Sequence, residues 1–331
     1  MMTKQNLKMK AIVAQGYGSP KVFRLEEIDR PEVQPGKVLI KIEVSAATRA
    51  DTQMRSGKPY VARLFTGISK PKNPIPGTGY AGVVEAVGEG VKDFKAGDRV
   101  FGETTLGFSA NAEYLLTSAD DVLMHLPEII SFSDAAPLGD GAVTSVNFLR
   151  EVGKVKPGQK VLINGASGAL GTSAVQLAKY YGAEVTGVCS TRNVGLVKSL
   201  GADHVIDYSK EDFTTRTEAY DLIYDTIGKS SFSEAKGALK KGGKYLSPVM
   251  SLPLLWQMLL SRKADKKALF AATGLLKPAE LRALLSHLLE VIAEGKHKTV
   301  IDRQFPLEKL AEAHTYIDAG HKKGNIIITH S

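Results

Sequence analysis

The run from Val161 to Lys179 constrains the fold of this chain more than any other segment. It reads VLINGASGALGTSAVQLAK: an apolar strand, a glycine-rich turn and the start of a helix. Gly168 would let the backbone approach a pyrophosphate, and Gly171 would let the helix pack closely against the strand. The amino terminus of the helix adds partial positive charge. The pattern therefore predicts a dinucleotide-binding turn and a redox cofactor.

The surroundings of this turn favour cofactor binding over a purely structural turn. Ala166 stands where the G-x-G-x-x-G pattern has its first glycine. A second apolar strand, Glu184 to Val188, follows after a gap of helix length, so a whole strand-helix-strand unit surrounds the turn.

The residues after the second strand indicate which nicotinamide cofactor is bound. An NAD-binding chain has an acid there for the ribose 2'-hydroxyl, whereas this strand runs into Cys189-Ser190-Thr191-Arg192-Asn193. Arg192 and a neighbouring hydroxyl suit a 2'-phosphate through charge-assisted hydrogen bonds. The run predicts NADPH rather than NADH, and the alternative is that Arg192 is a solvated residue at a helix start.

Composition excludes several classes of function. The single cysteine, Cys189, excludes a disulfide framework, a four-cysteine zinc lobe and a cysteine-pair redox centre. The net charge of +8 comes from scattered lysines, without the continuous basic stripe that nucleic-acid binding needs. Neither a secretory leader nor a membrane-spanning run is indicated, which predicts a cytoplasmic protein.

The pattern of elements predicts two domains in a chain of 331 residues. Short strands separated by Gly, Pro and Asp turns fill the first 130 residues, and strands then alternate with helices. Strands are predicted near 161–164, 184–188, 204–206, 221–225, 244–249 and 268–273. We therefore expect an α/β fold, a doubly wound parallel sheet joined to a smaller β-rich domain that the final strand, 325–329, completes.

One apolar segment does not belong to this alternation. Residues 251–260 are strongly apolar and lead directly into Arg262, Lys263, Lys266 and Lys267. The segment is too short to cross a bilayer. It could form a lid, a dimer contact or a membrane-surface helix, and a packed core or interface is favoured over the membrane contact through 252–267.

Several motifs in order along the chain carry a resemblance to a known family. They lie at residues 52–57, 76–84, 96–102, 156–160, 201–208 and 220–228. Together they resemble the medium-chain dehydrogenase/reductase superfamily, in its zinc-independent quinone oxidoreductase and enone reductase branch. The resemblance implies a GroES-like β-rich catalytic domain (1–130 and 299–331), a Rossmann-like dinucleotide-binding domain (131–298) and a homodimer.

The resemblance also bears on the chemistry. Zinc-dependent relatives have a Cys at position 48, a His at 78 and a Glu at 79, whereas this chain has Thr48, Thr78 and Gly79, so no catalytic metal is expected. Without a Lewis acid, a quinone or an α,β-unsaturated carbonyl remains a feasible hydride acceptor, because it delocalises the developing charge. An NADP-dependent alcohol dehydrogenase and a non-catalytic NADPH-binding protein stay open as alternatives.

The site residues that the resemblance implies fall into two groups. Quinone reductases commonly have Asn at position 48 and Tyr at 53, so Thr48, Gln53 and the nearby Asp51 become the candidate catalytic residues, as substrate contacts. The candidate cofactor residues are Thr144 near the nicotinamide, Gly168, Ala169 and Leu170 at the pyrophosphate, Ser190 and Arg192 at the 2'-phosphate, Tyr208 beside the phosphate or ribose, and Asn325 where relatives often have a Lys.

Overall fold

The computed structural model describes residues 7–58, 60 and 63–330. Their packing separates two compact units. The first unit comprises the described residues up to Asp140, Lys277–Arg282 and the residues from Ile301 onward; the second comprises Gly141–Leu276 and Ala283–Val300. Residues 131–140 pack with the first unit, and the domain boundaries drawn from the sequence stay a prediction.

The strands of both units follow in chain order. They are β1 (Lys8–Ala14), β2 (Phe23–Asp29), β3 (Lys37–Ala47), β4 (Gly79–Val87), β5 (Arg99–Glu103), β6 (Tyr114–Ser118), β7 (Val122–His125), β8 (Lys160–Asn164), β9 (Glu184–Cys189), β10 (His204–Asp207), β11 (Tyr220–Asp225), β12 (Leu239–Leu246), β13 (Lys267–Leu269), β14 (Ile301–Pro306) and β15 (Asn325–Thr329).

The α-helices are named in the same way. They are α1 (Arg49–Ser56), α2 (Arg63–Thr66), α3 (Phe132–Ala135), α4 (Gly141–Val146), α5 (Ala169–Tyr180), α6 (Val194–Ser199), α7 (Phe232–Ala235), α8 (Leu252–Ser261), α9 (Pro278–Ala293) and α10 (Leu310–Asp318). A π-helical segment, Asn147–Val152, continues α4. No helix in the described part of the chain is both long enough and apolar enough to span a membrane.

The first unit is built on a largely antiparallel sheet. Its described strands run in the order β14-β15-β3-β4-β5-β7, with β6 also paired to β3, and only β14 and β15 pair in parallel. Val38, Ile40 and Ile42 alternate along β3 and share one buried cluster with Tyr80 and Val100. The period of two places these apolar side chains on one face, which forms the core of the unit.

The second unit is built on a parallel sheet. Its described strands run in the order β10-β9-β8-β11-β12-β13, and every neighbouring pair is parallel. Three successive residues of β8, Val161 to Ile163, are fully buried, as expected where helices cover both faces of a sheet. The strand order reverses between β8 and β11, where such sheets bind ligands. The predicted doubly wound α/β fold is confirmed.

Two predicted strands have different bounds in the structure. β12 begins at Leu239 rather than near 244, and its pairing with β11 shifts register between Tyr220 and Leu222. Gly242, with a φ of +76°, lies within this irregular strand. β13 ends at Leu269, well before the predicted 273.

Candidate functional site

The glycine turn joins β8 to α5 at the carboxyl edge of the parallel sheet. Gly168 is the residue before α5, and no side chain caps the helix there. A Cβ added to Gly168 would meet only the carbonyl oxygen of Gly165, at 3.5 Å, whereas one added to Gly171 would overlap that same oxygen and the Ala166 backbone. Gly168 therefore keeps open space at the helix amino terminus, while Gly171 allows close packing.

The end of β9 is tied to the same turn. Ser190 is half-buried and precedes a 3-10 turn, Thr191–Asn193, in which Arg192 is exposed. The side-chain amide of Asn193, which is buried, donates to Ser167 Oγ at 2.9 Å. The sequence does not predict a role for Asn193 or Ser167, although both lie within the segments that it identifies as cofactor-binding. The structure thus brings the glycine turn and the Ser190 segment to one edge.

The end of β10 adds two more groups beside Ser190. Tyr208 is exposed, and its backbone N–H donates to the carbonyl of Cys189 at 3.1 Å. Asp207 accepts a 2.6 Å hydrogen bond from Thr191 Oγ1. The hydroxyls of Thr191 and Ser209 lower the pKa of Asp207 below its usual value, so it is ionised. The run after β9 contains no acid, but the neighbouring strand supplies one.

A buried carboxylate organises the point where the strand order reverses. Asp225 ends β11 and is fully buried. It accepts from the Asn164 side-chain amide at 3.1 Å, the Gly228 N–H at 3.0 Å, the Ser230 N–H at 3.0 Å and the Tyr245 hydroxyl at 2.8 Å. These bonds fix the loop after β11 next to the glycine turn. The signal in the sequence is an Asp that ends an apolar strand.

Thr144 lies on a helix that packs against the glycine turn. It is a half-buried residue of α4. The neighbouring Ser145 hydroxyl lies 3.0 Å from the carbonyls of both Gly141 and Leu170, which ties α4 to the first turn of α5. Thr144, Gly168, Ala169, Leu170, Ser190, Arg192 and Tyr208 all belong to the second unit, whereas Asn325 begins β15 in the first.

In the first unit, Thr48 and Asp51 form a capping box at the start of α1. The Asp51 N–H donates to Thr48 Oγ1 at 3.1 Å, and the N–H and hydroxyl of Thr48 each donate to Asp51 Oδ2 at 2.8 Å. Both residues are buried, whereas Gln53 is exposed. Thr48 and Asp51 therefore stabilise the helix end, and their contact with a substrate remains a proposal.

Three carboxyl groups of the first unit have raised pKa values. Burial raises the pKa of Asp51 to about 7 and that of Glu103 well above its ordinary value, and it also raises the pKa of Asp140. Repulsion from Asp140 adds to the effect at Asp51 and Glu103, whereas Lys322 lowers the pKa of Asp140. Burial also lowers the pKa of Lys322 to about 8. Sequence reasoning did not identify Glu103, Asp140 or Lys322, which come from distant parts of the chain.

The glycines around Glu103 leave room for its carboxyl group. A Cβ on Gly79 would come 3.5 Å from Glu103 Oε2, and one on Gly139 would come 2.9 Å from the same atom. Glu103 Oε2 and Asp51 Oδ1 have no hydrogen-bond partner among the described residues. Burial therefore favours the protonated form of Glu103.

The residues at the positions of zinc ligands do not suit a metal ion. Thr48 and Thr78 offer hydroxyls and Gly79 offers no side chain, whereas zinc sites are built from thiolate, imidazole and carboxylate groups. Across the described ranges, no cluster of three or more His, Cys, Asp or Glu side chains is arranged to hold a metal ion.

The chain matches known proteins over most of its length. The family described as alcohol dehydrogenase GroES-like domain matches residues 34–128, and the family described as zinc-binding dehydrogenase matches residues 200–328. The chloroplastic NADPH-dependent alkenal/one oxidoreductase of Arabidopsis thaliana is 32% identical over 341 residues, which cover 97% of this chain and 79% of that protein.

Solved structures of quinone oxidoreductases match as well. The enzyme from Coxiella burnetii is 28% identical with a TM-score of 0.87, covering 98% of this chain and 100% of that one. The Escherichia coli quinone oxidoreductase, complexed with NADPH, is 25% identical with a TM-score of 0.85, covering 97% and 100%. The chain therefore belongs to the medium-chain dehydrogenase/reductase superfamily, in its quinone oxidoreductase-like branch.

Proposed function

We propose that this protein is a zinc-independent, NADPH-dependent oxidoreductase that reduces a quinone or an α,β-unsaturated carbonyl compound. The observation that carries the proposal is the open turn at Gly168, at the carboxyl edge of the parallel sheet where the strand order reverses. The names of its relatives, an alkenal/one oxidoreductase and quinone oxidoreductases, support the choice of acceptor.

The proposed cofactor site combines backbone and side-chain donors. The N–H groups of Gly168, Ala169 and Leu170 would bind the diphosphate at the amino terminus of α5. Ser190 and Arg192 would bind the 2'-phosphate. The remaining proposed contacts are Thr144 to the nicotinamide, Tyr208 to the phosphate or ribose, and Asn325, at a position where relatives often have a Lys.

The proposed chemistry requires only modest help from the protein. NADPH, when bound, supplies a hydride. A conjugated acceptor spreads the resulting negative charge over several atoms, so hydrogen bonding and one proton complete the reduction. Gln53 is the proposed donor to the acceptor carbonyl, and Thr48 and Asp51 are the other proposed substrate contacts. Neither an amide nor an aliphatic hydroxyl has a useful pKa for donating the proton, so water is the proposed proton source.

Calorimetric titration with NADPH and NADH tests the cofactor assignment. NADPH should bind more tightly by about 1 to 3 kcal/mol, the range for hydrogen bonds to charged groups, and Arg192→Ala should abolish the difference. Lys198→Ala, at an exposed cation on α6, is the matched control and should preserve it. Asp207→Asn should strengthen NADPH binding, because it removes a negative charge near the 2'-phosphate. Equal affinities in the parent protein would overturn the assignment.

Turnover and metal removal test the reaction. NADPH oxidation by quinones and enones should exceed NADP-linked oxidation of simple alcohols, and dialysis against a chelator should leave the rate unchanged. Activity that disappears with the chelator and returns with zinc would refute zinc independence. Tight NADPH binding without turnover across the panel would instead support a non-catalytic protein.

We also propose that the protein is a cytoplasmic homodimer. The family resemblance supports the dimer, and the single cysteine fits a reducing compartment. Sedimentation equilibrium would test the dimer, and a monomer at micromolar concentration would contradict it.

A further inference from the structure

Helix α8 turns an apolar face to solvent. Its exposed residues include Leu252 (83% exposed), Leu255 (40%), Trp256 (61%), Leu259 (61%) and Leu260 (65%). The opposite face holds Leu254, which is 5% exposed, and Ser261, which is buried. Leucines and a tryptophan therefore face outward, where an ordinary surface helix has polar side chains.

The exposed residues form one continuous surface. At about 100° of rotation per residue, Leu255, Leu259, Leu252, Trp256, Leu260 and Pro253 follow one another around an arc of about 160°. All of them are apolar and exposed. The helix has ten residues and is thus about 15 Å long. A contiguous apolar surface of this kind usually marks a binding surface.

Positive charge directly follows this apolar face. Arg262, Lys263 and Lys267 are exposed. Lys266 lies 3.9 Å from Glu218 and is partly neutralised by it. Between Met250 and Leu276, Asp265 is the single carboxylate in the sequence. The surface thus combines an apolar arc with a local excess of cations.

We propose that α8 and the cations after it bind the surface of an anionic lipid bilayer. An interfacial helix places leucine and tryptophan at the boundary between headgroups and acyl chains, and lysine and arginine pair with anionic headgroups. A second copy of the chain complements this surface less well. In a symmetric contact through residues 250–276, each copy would bring one carboxylate against the cations of the other. A bilayer surface supplies negative charge over the whole area.

The protein contains its own reporter for this contact, because Trp256 is its only tryptophan. Vesicles of phosphatidylcholine and phosphatidylserine in equal parts should shift the Trp256 emission to shorter wavelength and sediment with the protein. Vesicles of phosphatidylcholine alone should bind far less, and high salt should weaken the anionic binding. An emission spectrum that anionic vesicles leave unchanged would overturn the proposal.

Two pairs of variants separate the contributions of charge and apolar contact. Arg262→Ala with Lys263→Ala should weaken binding about thirtyfold, from the typical contribution of each cation near an anionic surface. Leu259→Ser with Leu260→Ser should weaken it about a hundredfold or more. These side chains are exposed, so thermal unfolding of the variants should match that of the parent.

The matched controls lie in the first unit. Lys92→Ala with Lys95→Ala removes two exposed cations, and Ile129→Ser removes an exposed isoleucine. Both variants should bind anionic vesicles like the parent. If the α8 variants also bind like the parent, another surface is responsible and the proposal is wrong. A Trp256 emission that already depends on protein concentration without lipid would show that a second copy covers the face, which also refutes the proposal.

Discussion

Two glycines of one turn should respond to the same substitution in opposite ways. Gly168 has a φ of −79° and a ψ of 179°, which alanine adopts readily, and its added Cβ would lie 3.5 Å from the nearest atom. Gly168→Ala should therefore change the free energy of unfolding by less than about 1 kcal/mol, with any change in the stabilising direction. The new methyl group would occupy the space proposed for the diphosphate. Losing one hydrogen bond to a charged group costs about 1.5–3 kcal/mol, so the Kd for NADPH should rise roughly ten- to hundredfold.

Gly171→Ala places the same methyl group against the Gly165 carbonyl and the Ala166 backbone. Gly171 and Ala166 are both buried, so the variant should lose about 1–3 kcal/mol of stability or more. Urea unfolding measures the first quantity for both variants, and calorimetric titration with NADPH measures the second. If Gly168→Ala bound NADPH with the parent's affinity, the space at this turn could not be the diphosphate site.

Three further substitutions test the first unit. Thr48→Ala should cost about 1 kcal/mol in urea unfolding through loss of the helix cap, and Thr48→Ser should restore it; equal stability of all three proteins would contradict the cap. Asp51→Asn concerns a carboxyl whose pKa rises from 3.8 to about 7 on folding. Between these two pKa values the folded parent has Asp51 protonated, whereas the unfolded chain has it ionised. The unfolding free energy of the parent, relative to that of the variant, should therefore fall by about 1.4 kcal/mol per pH unit as pH rises from about 4.5 to 6.5. A difference that does not change with pH would refute the raised pKa of Asp51. His314 is fully buried, and burial lowers its pKa from 6.5 to about 3. As pH falls below 6.5, His314 takes up a proton in the unfolded chain and not in the folded one, which lowers the unfolding free energy of the parent. This decrease should be about 1.4 kcal/mol per pH unit between pH 6 and pH 4, and His314→Leu should abolish it. If the unfolding free energies of parent and variant change with pH in parallel, His314 is not responsible.

Local sequence patterns predict the parallel sheet better than the edges of either sheet. The strands β8, β9 and β11 are apolar runs whose burial on both faces is visible in the residue types themselves. β14 was not predicted, because its residues are exposed or half-buried and show no apolar alternation. It forms because β15, more than twenty residues later in sequence, supplies its hydrogen-bonding partner.

The candidate site shows the same limit. The sequence predicts Gly168 and Ser190 as cofactor-binding residues, because each lies in a short motif that can be recognised without the rest of the fold. The capping box of Thr48 and Asp51 could also have been read from their spacing and residue types. Glu103 and Asp140 could not, since burial raises both pKa values, Asp140 raises that of Glu103 further, and only the folded chain buries these groups and brings them together.

The position of β15 affects the order in which the two units form during synthesis. β15 lies between β14 and β3, and residues 44–47 of β3 pair with it. At translation rates of about 5–20 residues per second, on the order of tens of seconds separate the emergence of β3 from that of β15. Throughout that interval the backbone of β3 lacks its partner on this side, whereas the parallel sheet has all its described strands once Leu269 has emerged. A nascent chain therefore carries an open strand edge, the kind of surface that promotes aggregation, and a ribosome-associated chaperone would have reason to cover it.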